Sequence, residues 1–411
     1  MVHVAKEMKR SNSDKPLLIG GATTSRIHTA VKIAPEYDNP VIHVLDAGKS
    51  VSVAEKLTNE DKKNKFHKEI SEQYEKLKVN YHNRKKIKLL SFDEAVENRL
   101  KLDWGKERII EPKKLGLTVL KDHPLSEIRK YINWTQFFVT WEIRGKYPQI
   151  FDDPKKGNEA KKLFQDANTL LDKIEADNLL QANAVIGIFR ANSEDDDIII
   201  YDKNGHEIEV FQTLRQQNMK KSDAPNLSLS DYIAPLESGR TDYIGLFANT
   251  AGIGIEKLTS FYDKQNDDYN SLMVKIIADR LAEAFAELLH FKVRREYWGY
   301  DSVEEENIKD FLSEKYSGIR PAVGYPSLPD HTENKKLFKL LGVSENAGIE
   351  LTENFMMSPG ASVSGMYIGN PHSKYFAIGM IGEDQVRHYA RRKGVSVETA
   401  SKHLSSNILY K

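Results

Sequence analysis

The stretch GIRPAVGYPSLPDHTEN, residues 318–334, combines an arginine and a tyrosine with three prolines and two glycines. Pro321 favours an extended conformation at Arg320, and Gly324 permits a sharp turn beside Tyr325. A guanidinium held in this way can donate two hydrogen bonds to one carboxylate, a geometry that lysine cannot reproduce. The stretch therefore predicts either a surface loop stiffened by proline or a preorganised loop that presents Arg320 and Tyr325 to a ligand.

Three other stretches place polar or aromatic side chains among apolar ones. Glu283 lies in a long apolar helix, where it either points inward or faces solvent. The segment YINWTQFFVTW surrounds Asn133 with aromatic residues, which is more typical of a hydrophobic core than of a cofactor site. Small residues precede a predicted strand with Tyr375 and Phe376, where a flat ligand could approach the backbone. None of the twelve histidines has the spacing of a metal site or a Ser-His-Asp triad.

The N-terminal region contains two glycine-containing turns, each after a predicted apolar strand. IGGATTSR spans residues 19–26 and LDAGKS spans residues 45–50. Apolar strands that alternate with helices indicate a parallel sheet, and ligands bind at the carboxyl ends of such strands. The glycine spacing matches neither the dinucleotide fingerprint nor a P-loop. The turns therefore predict either a ligand crevice at one sheet edge or two ordinary turns capped by Thr or Ser.

The composition excludes several classes of protein. The 411 residues include 60 basic and 60 acidic side chains, which cancel and argue against bulk attraction to nucleic acid or an anionic membrane. Without cysteine the chain has no disulfide, thiolate nucleophile or cysteine zinc site, and we predict a cytoplasmic location. No segment reaches the roughly twenty apolar residues of a membrane span.

The pattern of apolar residues divides the chain into three parts. Residues 1–90 are predicted to form an α/β segment that ends in a long charged helix. Residues 91–115 are predicted to form a linker, because Pro and Gly interrupt short apolar runs. Residues 116–411 are predicted to be α+β, with an antiparallel sheet that includes ANAVIGIFRANSEDDDIIIYD as a hairpin. Its longest helix is predicted to bury one face, because apolar residues recur there at three- and four-residue steps: Met273, Ile276, Ile277, Leu281, Ala284, Phe285, Leu288 and Leu289.

Several long blocks of the sequence occur in the order found in a known family. They are YINWTQFFVTW, DANTLLDKI, DDYNSLMVKIIADRLAEAFAE, YWGY, GIRPAVGYPSLPDHTE, PGASVSG and HSKYFAIG. From about residue 110 to the end, the chain resembles the C-terminal activation domain of cobalamin-dependent methionine synthase. Residues 2–100, with PLLIGGATTS, HTAVKI and VLDAGKSV, resemble the last part of the cobalamin-binding domain of that family.

The resemblance implies both a fold and a function. The fold is an α+β activation domain at 116–411, with a bent antiparallel sheet and flanking helices, after a partial, Rossmann-like cobalamin-binding segment with a parallel sheet at 1–90. The family transfers a methyl group from methyltetrahydrofolate to homocysteine through cobalamin, in methionine biosynthesis. Oxidised cob(II)alamin is remethylated with a methyl group from S-adenosylmethionine and one electron from flavodoxin or a flavoprotein reductase. The chain is therefore expected to bind S-adenosylmethionine for this remethylation.

The resemblance also implies which residues contact the cofactors. Arg320 and the backbone after it, including Ala322, are expected to hold the methionine moiety of S-adenosylmethionine. The other expected contacts to S-adenosylmethionine are Asn133, Glu283, Tyr325, Tyr375 and Phe376. The expected contacts to cobalamin are Gly20, Gly21 and Ala47. No protein residue is expected to act as acid, base or metal ligand, because the protein orients the methyl group and cobalt supplies the chemistry.

Two features depart from the family pattern. The family usually has IDWTPFF, with an aspartate that contacts S-adenosylmethionine, where this chain has Asn133 and, in place of the proline, Gln136. The family motif Asp-x-His-x-x-Gly, whose histidine ligates cobalt, does not occur in this sequence. Because Asn133 lacks the negative charge of an aspartate, we expect weaker binding of S-adenosylmethionine. Because the cobalt-ligating motif is not found, we expect a chain that begins within the cobalamin domain, needs the remaining domains and is inactive alone. The alternative is a non-catalytic module that binds S-adenosylmethionine or docks a redox partner.

Overall fold

The computed structural model describes residues 1–20, 26–44, 53–54, 56–58, 60–84, 88–220, 222–301 and 316–409. The chain divides into two compact units, Met1–Lys88 and Leu89–Lys411. Within the described ranges no helix is long and apolar enough to cross a membrane. The predicted cobalamin contacts Gly21 and Ala47 lie outside the described residues.

The first unit contains two short parallel strands, β1 (Leu17–Gly20) and β2 (Val41–Val44). Leu17 lies opposite Val41 and Gly20 lies opposite Val44, so the predicted parallel pairing is confirmed. The helices of this unit are α1 (Val2–Arg10), α2 (Arg26–His28), which continues as a π turn (Thr29–Ile33) and a 3-10 turn (Ala34–Glu36), and α3 (Glu60–Arg84). The assignment of this unit to a cobalamin-binding domain stays a prediction.

The second unit contains a six-stranded antiparallel sheet, as predicted. Its first five strands are β3 (Gly116–Leu120), β4 (Gln181–Glu194), β5 (Asp197–Tyr201), β6 (Glu207–Gln212) and β7 (Asp242–Ile253). A separate pair, β8 (Glu350–Leu351) and β9 (Met357–Ser358), precedes the sixth strand, β10 (Ser362–Tyr367). The strand order is β10-β7-β4-β5-β6, and β3 pairs with residues 184–188 of β4. The predicted hairpin is the β4–β5 pair, which turns at Asp195 and Asp196.

Helices cover both faces of this sheet. They are α4 (Phe92–Glu97), α5 (Leu125–Ile128), α6 (Trp134–Thr140), α7 (Gly157–Ala176), α8 (Ile255–Asp263), α9 (Asp268–Lys292), α10 (Asn334–Leu341), α11 (Val343–Ala347), α12 (Glu383–Lys393) and α13 (Val397–His403). Alternate residues of β4 face opposite cores, since Ile186 packs in the core of α7 and α9 whereas Val185 packs in the core of α10 and α11.

Helix α9 has the buried face that its sequence predicts. The residues predicted to recur on that face are all buried: Met273, Ile276, Ile277, Leu281, Ala284, Phe285, Leu288 and Leu289. The helix packs against β7 and β10. Two of its acidic residues, Glu283 and Glu287, are half-buried and lie four residues apart on the same side of the helix. The half-burial of Glu283 therefore lies between the inward and the solvent-facing orientation that the sequence left open.

The segment predicted as a linker, residues 91–115, lies within the second compact unit. Helix α4 begins with a capping box, in which the Ser91 hydroxyl accepts a hydrogen bond from the Glu94 N–H. The Phe92 N–H donates to the carboxylate of Asp384, in α12, at 2.6 Å. The start of the second unit is thereby attached to its C-terminal helices.

Buried charges attach α12 to the rest of the second unit. Arg215 is 1% exposed and pairs with Asp196 at 2.5 Å and Asp231 at 2.7 Å, while its N–H donates to Gln385 of α12 at 2.7 Å. Asp330, also 1% exposed, accepts hydrogen bonds from Thr332, Tyr389 and Lys393. Each charge has partners on several sides, which is the condition for burying ionised groups without large loss of stability.

Candidate functional site

A cavity of about 600 Å³ lies in the second unit, lined by helix α9, strand β10 and the loops around them. This volume is typical of a site for a small molecule. All seven residues predicted to contact S-adenosylmethionine line the cavity: Asn133, Glu283, Arg320, Ala322, Tyr325, Tyr375 and Phe376. Sequence reasoning missed other lining residues, of which Glu287, Tyr316 and Ser327 are polar. The fold thus brings the predicted residues together, while their contact with a ligand stays a prediction.

The loop with Arg320 runs alongside strand β10 and is held by backbone hydrogen bonds. The Ile319 and Ile368 backbones exchange two hydrogen bonds of 3.0 Å, and the Met366 N–H donates to the Pro321 carbonyl at 2.9 Å. A Cβ at Gly365 would lie 2.4 Å from the Pro321 oxygen, so this close approach requires glycine. The structure therefore shows a loop fixed by its contacts with strand β10, while the presentation of Arg320 and Tyr325 to a ligand stays a prediction.

The side chain of Arg320 is buried beside the cavity and is already paired. Its Nη2 donates to Oε1 of Glu287 at 2.6 Å, and its guanidinium carbon lies 5.7 Å from the centre of the Phe247 ring. Its buried Nε has no hydrogen-bond partner within the part of the chain described above. The sequence predicts a guanidinium that can donate two hydrogen bonds to a ligand carboxylate. In the structure one of its N–H groups already donates to an internal carboxylate, and contact with a ligand stays a prediction.

Glu287 and Glu283 give the cavity its acidic groups. Burial raises the pKa of Glu287, while the neighbouring Arg320 guanidinium opposes this rise. Glu283 forms no ion pair with any other described residue. The negative charge of Glu287 offsets the positive charge of Arg320. Among the described lining residues, the carboxylate of Glu283 therefore provides the negative charge that is not compensated. A cationic group of a ligand is therefore favoured in this cavity.

A hydroxyl group on the cavity wall links two parts of the chain. The Tyr375 oxygen accepts a hydrogen bond from the Arg320 N–H at 2.9 Å and another from the Tyr316 hydroxyl. Burial raises the pKa of both tyrosines, so both hydroxyls stay protonated at neutral pH. The prediction that Tyr375 and Phe376 lie in a strand is wrong, because β10 ends at Tyr367 and both residues lie in a loop. Their place is fixed instead by side-chain contacts such as the Tyr375 hydrogen bond.

Asn133 lies at the junction of the aromatic core and the cavity. It caps helix α6 by accepting a hydrogen bond from the Gln136 N–H at 3.2 Å. Behind it Phe137 and Phe138 are fully buried, so the aromatic segment forms core as predicted.

Tyr325 lies at the rim of the cavity, where it is 55% exposed. The nearby Glu283 carboxylate raises the pKa of Tyr325, and partial burial is the second cause of this rise.

In the first unit, Gly20 alone among the three predicted cobalamin contacts is described. It lies at the exposed end of β1, and a Cβ added there would lie 3.7 Å from the Val44 carbonyl oxygen, an ordinary contact. Among the described neighbours of Gly20, none requires glycine at this position, and its contact with cobalamin stays a prediction. Among the described residues no group of three or more His, Asp or Glu side chains could hold a metal ion.

Comparisons with known proteins identify the family. Residues 124–394, more than half of the chain, match the family model for vitamin B12 dependent methionine synthase, activation domain. The chain is also 45% identical to a solved structure, the crystal structure of the MetH reactivation domain bound to AdoHcy, with a TM-score of 0.77. That similarity covers 79% of this chain and 99% of the other, and it confirms the activation-domain fold predicted for the second unit. The chain therefore belongs to the vitamin B12 dependent methionine synthase family and contains its activation domain.

Proposed function

We propose that the second unit binds S-adenosylmethionine in the cavity beside Arg320 and presents its methyl group for the reductive remethylation of cob(II)alamin. One observation carries this proposal. The seven residues expected to contact S-adenosylmethionine line a single cavity, and the chain is 45% identical in sequence to a reactivation domain bound to AdoHcy. AdoHcy is what S-adenosylmethionine becomes after it has lost its methyl group, so both molecules present the same amino-acid and adenosine groups.

The polar groups of the cavity match those of the ligand. A guanidinium has five N–H donors, and Arg320 uses one of them on Glu287, which leaves donors for the ligand carboxylate. The carboxylate of Glu283 attracts the ammonium and sulfonium groups, which carry the positive charges of S-adenosylmethionine. The backbone at Ala322 and the aromatic rings of Tyr325 and Phe376 line the remaining wall. A zwitterion with one additional positive charge therefore fits this arrangement.

The residues act by positioning the ligand. The tyrosine hydroxyls keep their protons and the guanidinium keeps its charge, so these groups donate hydrogen bonds without transferring protons. Holding the amino-acid end of the ligand fixes the direction of the sulfonium methyl group, which lowers the entropy lost on reaching the transition state. When bound, cobalamin would supply the reduced cobalt that accepts this methyl group.

The proposal includes partners that lie outside this cavity. We place the cobalamin on other methionine synthase domains, in the same or another chain, and expect flavodoxin or a flavoprotein reductase to provide the electron. Family membership supports the first of these expectations. On this proposal the chain alone is inactive, and it works in the cytoplasm.

Titration calorimetry with S-adenosylmethionine tests the binding step. We expect the full chain to bind the ligand and Arg320→Ala to lose at least tenfold in affinity, because a hydrogen bond between charged groups is worth about 1.5–3 kcal/mol. A matched control is Arg387→Ala, which removes an exposed arginine paired with Glu383 on α12 and should bind as the unchanged protein does. Absence of binding to the unchanged chain would refute the proposal.

A second measurement separates the methyl-transfer function from simple binding. The chain is mixed with the cobalamin-carrying domains of a methionine synthase, a reductant and S-adenosylmethionine, and methylcobalamin is followed by its absorption spectrum. Formation of methylcobalamin that depends on Arg320 supports the proposal. Tight binding without methylcobalamin would instead support the non-catalytic module.

A further inference from the structure

The contact between Glu287 and Arg320 connects two walls of the cavity. The carboxylate comes from helix α9 and the guanidinium from the loop beside β10, and the two groups meet at 2.6 Å. The exposed fraction of the side chain is 24% for Glu287 and 9% for Arg320. A pair as sheltered as this one is screened by solvent much less than a surface ion pair.

Glu287 is also the carboxylate that determines where the guanidinium points. An arginine side chain has roughly 2 kcal/mol of rotamer entropy, which a ligand must overcome if the side chain is free before binding. Here the backbone N–H of Arg320 donates to Tyr375, the guanidinium carbon lies over the Phe247 ring, and Nη2 donates to Glu287. Only the last of these contacts acts directionally on the guanidinium, so Glu287 fixes its orientation.

The pair leaves the arginine able to bind a second carboxylate. The bond to Glu287 uses a single N–H of Nη2, and no hydrogen bond joins Nη1 to any other residue that the structure describes. Glu287 itself lines the cavity, so a ligand carboxylate beside it would accept hydrogen bonds from the same guanidinium that Glu287 already holds. The guanidinium is therefore preoriented before the ligand arrives.

We infer that Glu287 is a positioning residue, which orients Arg320 to receive the carboxylate of an amino-acid ligand and so favours ligands that carry this carboxylate. The inference rests on the proposed function, since it concerns the same cavity. It assigns Glu287 no part in the methyl transfer, because it acts through Arg320.

The test compares two ligands that differ only in the carboxylate. S-adenosylmethionine and decarboxylated S-adenosylmethionine are titrated into the full chain, into Glu287→Ala and into Glu287→Gln. We expect Glu287→Ala to weaken the binding of S-adenosylmethionine roughly tenfold. The affinity for the decarboxylated ligand should change by less than about twofold. Glu287→Gln keeps an acceptor oxygen for Nη2, and we expect it to recover part of the loss.

A matched control is available on helix α7. Glu175 has a side-chain exposure of 23% and also pairs with an arginine, Arg129, but it lies outside this cavity. Glu175→Ala should leave both affinities unchanged. Thermal unfolding of each variant shows whether it is folded, and Glu287→Gln serves for the comparison if Glu287→Ala does not fold.

Two outcomes would overturn the inference. An equal loss for both ligands would show that Glu287 only supports the fold, and tighter binding of S-adenosylmethionine by Glu287→Ala would show that Glu287 competes with the ligand. These results are distinct from failure of the proposed function, in which the unchanged chain does not bind S-adenosylmethionine or Arg320→Ala binds it equally well.

Discussion

At the scale of single residues, one hydrogen bond couples the two residues that depart from the family segment IDWTPFF, Asn133 and Gln136. The oxygen of Asn133 accepts the Gln136 N–H at the start of helix α6. The proline that the resemblance leads us to expect at position 136 has no N–H to donate. The side-chain oxygen of Asn133 is therefore engaged by the helix in this chain, which adds to the loss of negative charge at position 133.

We predict that Asn133→Asp binds S-adenosylmethionine more tightly. A carboxylate has two oxygens, so one can cap the helix while the other faces the cationic ligand, and charged hydrogen bonds exceed neutral ones by about 1 kcal/mol. The expected gain is roughly fivefold in the dissociation constant, measured by titration calorimetry. Adding Gln136→Pro should increase the gain, since it removes the competing donor. Equal affinities in all three proteins would discard this account.

At the scale of elements, the close contact between β10 and the Arg320 loop defines the cavity. The Pro321 carbonyl approaches Gly365 so closely that a side chain cannot fit between them. The positions of Arg320 and Ala322 therefore depend on the absence of a side chain more than forty residues later.

Gly365→Ala should displace the loop. A methyl group 2.4 Å from a carbonyl oxygen must push the backbone away, at a cost of about 2 kcal/mol in stability, and should also weaken the binding of S-adenosylmethionine. The measurements are urea unfolding and ligand titration. Gly360→Ala is the control, because an added Cβ there has no neighbour within 4 Å. Unchanged affinity in Gly365→Ala would mean that the loop keeps its shape without this contact.

The sequence predicted what depends on local signals. The apolar spacing of helix α9 and the apolar runs of β4 and β5 were sufficient for these elements, and Pro321 and Gly324 marked the loop around Arg320. Contacts between distant segments were not predictable in this way. The pairing of Glu287 with Arg320 spans 33 residues, and the hydrogen bond of Tyr375 to the Arg320 backbone spans 55 residues. A single sequence carries no periodic pattern for such contacts, so Glu287 was missed and Tyr375 was placed in a strand.

At the scale of the whole molecule, buried charges connect the last helices to the sheet of the second unit. Burial alone would raise the pKa of Asp330, but Lys393 and the hydrogen bonds from Thr332 and Tyr389 lower it to about 2. Lowering a folded-state pKa below its ordinary value of 3.8 stabilises the protein above that value. This stability is lost as the pH falls toward 2.

We predict that Asp330→Asn is less stable than the unchanged protein by on the order of 2 kcal/mol at pH 7, and that the difference shrinks between pH 4 and pH 2. Urea unfolding followed by tryptophan fluorescence measures this, because all four tryptophans lie in the second unit. The exposed Asp177→Asn is the control and should differ little at any pH. A difference that persists at pH 2 would show that packing, and not ionisation, accounts for the loss.

The hydrogen bond from the Phe92 N–H to Asp384 joins residues 292 positions apart. The N-terminal segment of the second unit and its C-terminal helix α12 thus meet at the carboxylate of Asp384. A domain with adjacent ends can be connected by a single flexible tether, or have its ends fused and new ones cut elsewhere, without rearranging its interior. A shortened version that begins after residue 92 would remove a donor from a site near its opposite terminus.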